Sequence, residues 1–444
     1  MAPIDLCRLL TGLVLLLLAA HLTGRLFARF RQPSVIGEIV GGLFLGPTLL
    51  GQLVPQVQHW IFPKQGPVAT GLELMYQLGM LLLMFLAGCE MRAVFSRKDS
   101  RTVGVIAVVG MAAPFAFGLL AVRAVDTSDL IGPAGSTTAL TLVIACSIAI
   151  TSIPVISRIM LDLGVIRTAF ARVVLSVAVL EDIVLNVVLS VAVGMVASSR
   201  NGRFGLASEL GIESANASAA YHSVASVAFL GLVALAGLLF RRRRGKADGH
   251  HPLGQVAVRV SAVLAAAAVC IYLGVAPMYG AFVIGLMSSL DRDASTSGSI
   301  QAVGGFARGF FIPVYFAVVG LKLNLVHDFD FGFTAAFLAV ACVVKAVSVY
   351  AGARLTKRPV PESVNLAIAM NARGGPGIVL ATVALDAGII SASLFTTLVL
   401  TAVITSLLAG WWLERAIAQG TLSRDTDLAP APQHVQRPLD AAVS

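Results

Sequence analysis

The apolar positions of this chain neither alternate nor form narrow helical stripes; they run together. Nearly unbroken apolar stretches of about 18 residues or more recur from near Leu9 to near Leu413, the length a helix needs to cross the hydrocarbon core of a bilayer. Roughly thirteen such spans are punctuated by Pro, Gly and charged residues. They begin near Leu9, Val35, Leu72, Thr102, Ala139, Ala169, Ser223, Val256, Met278, Phe306, Phe331, Val364 and Ser393. The pattern predicts an all-α polytopic membrane protein. A membrane β-barrel would show short alternating segments instead.

Composition agrees: 57% of the 444 residues are hydrophobic and 12% charged, against roughly 45–50% and 25% in soluble domains. The net charge of +9 would suggest nucleic acid in a soluble protein, but here it sorts by loop. The loops after the odd-numbered spans hold Arg25, Arg29 and Arg31; Arg92, Arg97, Lys98 and Arg101; Arg158, Arg167 and Arg172; the run Arg241 to Lys246; Arg292 and Arg308; and Arg354, Lys357 and Arg358. The opposite loops hold only Lys64, Arg123, Arg200, Arg203 and Lys322, with Arg8 at the N-terminus. By the positive-inside rule this predicts an N-terminus outside and a C-terminus inside a plasma membrane, expected to be bacterial. The first span is read as a retained helix. Residues 1–419 are then one membrane domain, and 420–444, rich in Pro, Ala and Asp, a disordered cytoplasmic tail. Cys7, Cys89, Cys146, Cys270 and Cys342 lie far apart and make neither a metal site nor a disulfide framework.

Ionisable side chains at membrane depth are expensive and so point to function. The sixth span carries Glu181 and Asp182 side by side near its middle. Adjacent carboxylates in a low dielectric repel when both are ionised, so the pair is suited to trading protons for a cation. The eleventh span carries Lys345 with no acid in its own helix, and its partner should be Glu181 or Asp182. That bridge either breaks when an ion arrives or is purely structural.

Two spans are interrupted. The fifth contains Thr151, Ser152 and Pro154; the twelfth contains Asn371, Arg373, Gly374, Gly375, Pro376 and Gly377. Pro removes a backbone donor and clustered Gly permits unwinding. Unwound backbone at membrane depth is tolerated only inside protein or along a cavity, and breaks at matching places in two halves mark transporter sites. Spans four to six correspond to eleven to thirteen, an odd offset that makes the repeats inverted. Arg373 either caps half-helix carbonyls or tunes the ion site. Glu38 reads as a helix-start or dimer-domain residue, and His21 as an interhelical hydrogen-bonder.

The segments Gln32 to Gly51, TSIPVISR, the Glu181–Asp182 pair, Gly280 to Ser289, Phe310 to Leu325, Lys345 and MNARGG, in this order over about residues 9 to 415, resemble the monovalent cation:proton antiporter-2 family. The resemblance implies thirteen helices, two crossed broken helices in a core domain, and a dimerisation domain that makes a homodimer. It implies that Asp182 is the essential ion and proton carboxylate, that Glu181 fills a position taken by Asp, Gln or Asn in relatives, and that Lys345 pairs with the carboxylates. Sodium or potassium would compete with protons for Asp182 and Glu181, with Thr151, Ser152 and the backbone near Asn371 as further oxygen ligands. No cofactor is expected, and no GxGxxG follows a strand, so no nucleotide-binding domain is expected. The alternative transporter reading is an organic-anion:sodium symporter, which would need a roomier polar cavity. An enzyme is disfavoured because no HExxH or nucleophile elbow accompanies the acids. A scaffold or sensor that has lost transport would share the same sequence pattern.

Overall fold

A computed structural model describes residues 1–30, 32–90, 100–166, 168–200, 205–211, 215–243, 252–289 and 294–423. The tail from residue 424 and several residues used above to orient the spans, among them Arg31, Arg92, Arg97, Lys98, Arg167, Arg203, Arg244, Lys246 and Arg292, lie outside these.

The described chain is helical, with a single isolated β-bridge between Ile131 and Ile390. Its helices are α1 (Pro3–Arg29), α2 (Ser34–Leu45), the short α3 (Leu50–Leu53) and α4 (Pro55–Ile61), α5 (Pro67–Glu90) and α6 (Ser100–Ala121). They continue as α7 (Thr137–Ala149), α8 (Ile153–Asp162), α9 (Ala169–Arg200), the single turn α10 (Leu206–Glu209), α11 (Ala215–Arg243), α12 (Pro252–Tyr272) and α13 (Pro277–Ser289). The last are α14 (Ala294–Phe306), α15 (Ile312–Lys322), α16 (Phe331–Leu355), α17 (Val360–Ala369), α18 (Gly374–Asp386) and α19 (Ala392–Ala418). Among the described residues, ten segments are long and apolar enough to cross a membrane. The three other expected spans fall on shorter apolar helices, Thr137–Ala149, Ala220–Val233 and Pro277–Ser288. The fold is the all-α polytopic one that the apolar runs predict.

The tenth span starts earlier than its hydropathy suggests. Helix runs from Ala294, through a π-helical turn at Ala307–Phe311, into α15. Its first residues, ASTSGS, are helical yet polar, so hydropathy alone misses them.

The helices form two packed groups. In the first, α1 packs on α2, α2 on α15, α5 on α13 and α15, and α12 on α13. Glycine sets these distances: a Cβ on Gly42 of α2 would stand 1.8 Å from the Ala317 carbonyl oxygen, and one on Gly320 of α15 would stand 2.0 Å from that of Ile39. Small residues that let helix backbones touch are the usual basis of packing in lipid. Glu38 lies here, against Gly24 of α1, away from the paired acids. His21 bonds the Leu17 carbonyl of its own helix at 2.9 Å, which corrects the interhelical expectation; a ring nitrogen four residues on reaches the i−4 carbonyl before any neighbour.

The second group packs α6 against α7, α9 and α16, α7 against α9, and α17 and α18 against α19. Helix α11 touches both groups, through α9 and α13. The groups are also tied at the end of α18, where Asp386 accepts hydrogen bonds from Tyr76 of α5 at 3.0 Å and from Lys322 of α15 at 2.8 Å.

Candidate functional site

Both predicted breaks exist. Helix α7 begins on a Ser136 cap that accepts the Ala139 N–H at 3.2 Å and ends at Ala149. Pro154 lies in the first turn of α8, where a missing backbone N–H costs nothing. Helix α17 ends at Ala369, and α18 starts at Gly374 with φ of 32°. A Cβ there would stand 2.8 Å from Ser152 Oγ, so this position needs glycine for both reasons.

The two breaks touch. Ser152 N–H donates to the Ala372 carbonyl at 2.6 Å, and the Thr151 hydroxyl donates to the Met370 carbonyl at 2.7 Å. The loop before α7 pairs antiparallel with the loop after α18, through Gly132 N–H to Ile389 O at 2.9 Å and Ser391 N–H to Leu130 O at 2.9 Å. The broken spans therefore run in opposite directions and cross at their unwound centres.

Two of the half-helix ends facing the centre, those of α7 and α18, are satisfied by side chains. The carbonyl end of α7 receives cations: Arg373 Nε donates to Ser147 O at 3.1 Å, Arg373 Nη2 to Ile148 O at 3.3 Å, and Lys345 Nζ to Ala149 O at 2.6 Å. Arg373 also reaches Ala341 O of α16 at 2.9 Å, so of its two expected roles the capping one is built. Asn371 holds it in place, with Oδ1 accepting from Arg373 Nη1 at 3.3 Å and Nδ2 donating to Ala367 O at 3.0 Å. The amide end of α18 meets neutral hydroxyls of α19: Arg373 N–H points to Thr405 Oγ1 at 3.4 Å and Gly374 N–H to Ser406 Oγ at 3.2 Å.

The acids sit beside this crossing. Lys345, wholly buried, donates to Glu181 Oε1 at 2.8 Å, to Ala149 O at 2.6 Å and to Gly110 O of α6 at 3.0 Å. An ammonium has three protons, and all three are used. The lysine's partner is thus Glu181. A Cβ on Gly110 would stand 2.9 Å from Val349 Cγ2, so glycine here lets α6 lie close against α16, the helix that carries Lys345. Asp182, buried and one residue on, points elsewhere around α9, and its Oδ1 has no hydrogen-bond partner among the described residues. Glu181 Oε2 is likewise buried without a partner among the described residues, so the two acids differ in that Glu181 alone has the lysine. Among the described residues no three His, Cys, Asp or Glu side chains converge. The oxygens at hand are the Asp182 carboxylate, the Thr151 and Ser152 hydroxyls and the unwound backbone.

Sequence reasoning missed three contributors. Thr405 and Ser406 are indistinguishable from other membrane hydroxyls until α19 is placed. Asn186 donates from Nδ2 to the Asp182 carbonyl at 2.8 Å, and its signal was present as a polar residue one helical turn beyond the acid.

Comparison with known proteins agrees with this geometry. Residues 14–419 match the family model described as "Sodium/hydrogen exchanger, transmembrane". The K(+)/H(+) antiporter 1 of Saccharomyces cerevisiae is 30% identical over 411 residues, covering 88% of this chain and 44% of that protein. The Na(+)/H(+) antiporter NhaS4 of Synechocystis is 27% identical over 404 residues, covering 90% of this chain and 95% of that one. The chain spans less than half the length of the first of these and nearly all of the second. Among solved structures, the sodium proton antiporter MjNhaP1 of Methanocaldococcus jannaschii superposes with a TM-score of 0.69 at 14% identity, covering 94% of this chain and all of that one. The chain belongs to the transmembrane sodium/hydrogen exchanger family.

Proposed function

We propose that this protein exchanges a monovalent cation, sodium or potassium, for protons across a membrane by alternating access, with Asp182 as the carboxylate for which the two compete. The observation that carries the reading is the asymmetry of the pair: each acid has one buried oxygen without a hydrogen-bond partner among the described residues, Glu181 Oε2 and Asp182 Oδ1, but Glu181 is held through Oε1 by a lysine whose three protons are all engaged, whereas Asp182 has no such ion pair. A buried carboxylate in that state is stabilised either by a proton or by a cation. Thr151 sends its hydroxyl proton to Met370 O, which leaves its oxygen lone pairs for a hard cation, and Ser152 Oγ offers another.

Movement of the α6–α9 and α16–α19 group against the α1, α2, α5, α12, α13 and α15 group alternately exposes the site. Residues 1–419 form the exchanger domain, with the N-terminus outside, the C-terminus inside and two copies in a dimer. The relatives named above include a potassium and a sodium antiporter, so both ions belong in the test. Purified protein is placed in liposomes with an acidic lumen and a trapped pH dye, and sodium, potassium, lithium or an inert organic cation is added outside. Luminal alkalinisation by an inorganic cation is expected. No response to any of them, from correctly folded protein, would overturn the reading.

A further inference from the structure

Between the two helix groups lies a narrow cleft of about 10 Å³, room for a single water-sized sphere or one bare ion. Met84 of α5 and Met278 of α13 form one wall; Ile150 of the first break, Asn186 of α9, and Pro376 and Leu380 of α18 form the other. It therefore touches both broken spans and the helix that carries the acids. Asn186 is its only polar lining side chain among the described residues.

The orientation of that side chain follows from its partner. A backbone carbonyl only accepts hydrogen bonds, so the group 2.8 Å from Asp182 O must be the amide NH₂. The carboxamide oxygen is then the polar atom of this cleft-lining side chain that has no hydrogen-bond partner among the described residues. Asn186 follows Asp182 by four residues, which puts both on one face of α9 about 6 Å apart along its axis. A cation in the cleft otherwise meets aliphatic carbon and two thioethers, which are poor ligands for alkali ions.

We infer that Asn186 is a specificity-determining ligand of the exchange site: its Oδ1 coordinates the cation on the cleft side of Asp182. The inference rests on the proposed exchange and deepens it. A carboxamide oxygen binds a cation but carries no proton in the working pH range, so Asn186 strengthens cation binding without strengthening proton binding. It tilts the competition at Asp182 toward the cation.

The test is the cation dependence of exchange in proteoliposomes for wild type, Asn186→Ala and Asn186→Gln, with sodium, potassium and lithium at several pH values. Asn186→Ala is expected to raise the cation KM about 10-fold, corresponding to about 1.4 kcal/mol, by a different factor for each ion, and so to flatten the preference among the three. Asn186→Gln, which keeps the amide oxygen, should recover part of the affinity with an altered ion order. A purely structural role, stapling α9 through the Asp182 carbonyl, would lower the rate for every ion with KM ratios unchanged, and that result overturns the inference. Should Asn186→Ala not fold, an unchanged ion order and KM in Asn186→Gln would overturn it equally. Absence of exchange in wild type would instead remove the functional reading beneath it.

Discussion

The two helix groups are held together by opposite means. Around α2, α5, α13 and α15 the contacts are glycine against backbone: besides Gly42 and Gly320, a Cβ on Gly285 of α13 would stand 2.1 Å from the Phe85 carbonyl oxygen, and one on Gly88 of α5 2.3 Å from that of Phe282. In the group built from α6 to α9 and α16 to α19, buried Lys345, Arg373, Glu181 and Asp182 meet among Thr151, Ser152, Thr405 and Ser406. Shape-only packing is continuous and has one optimum. A polar network has discrete arrangements that a proton or an ion can bias. Under the proposed exchange, the first group serves as the frame and the second carries the switch, and they meet at the Asn186 cleft and the Asp386 tie.

The comparison can be broken from either side. The largest expected effect on stability is from Lys345→Met, which strands Glu181 and two carbonyls in the interior; loss of one partner of a buried ion pair costs about 3–5 kcal/mol. Thermal unfolding in detergent should fall sharply, and Glu181→Gln added to Lys345→Met should restore much of it. No restoration would mean that the lysine matters for the carbonyls of Ala149 and Gly110 rather than for the acid. Next comes Gly42→Leu, whose side chain would enter the Ala317 backbone. Overpacking costs about 1–3 kcal/mol or more, so the variant should lose yield and melting temperature, equally with and without cation. A cation-dependent rescue would contradict the division into frame and switch. The smallest effect is Lys322→Gln at the tie: the lysine is 25% exposed beside Asp386 at 27%, and such pairs are worth at most about 1 kcal/mol. Melting should hardly change, while the exchange rate shifts because a contact that crosses the moving boundary has been weakened.

Much of this was legible in the chain. The spans followed from hydropathy because lipid demands apolar length, and the breaks from Pro154 and the Gly374–Gly375 pair because those residues alter the backbone whatever surrounds them. Glu181, Asp182 and Lys345 announced themselves because charge at membrane depth is costly. What could not be read was rotation. Hydropathy leaves a helix free to turn about its axis, so whether Lys345 faced Glu181 or Asp182, and whether Asn186 lay on the Asp182 face of a cavity, waited on the packing of α6, α9 and α16. Arg373 was recognisable as buried charge, but its target carbonyls, Ser147 and Ile148, lie more than 200 residues away in sequence.

The central claim is that cation and proton compete at Asp182 and not at the lysine-held Glu181. It is tested most directly by the protons released into a weakly buffered detergent solution when sodium or potassium is added to wild type, Asp182→Asn and the Glu181→Gln/Lys345→Met double variant. The account predicts release from wild type and from the double variant, and none from a folded Asp182→Asn protein. Cation-driven release that survives in Asp182→Asn and vanishes in the double variant would contradict it.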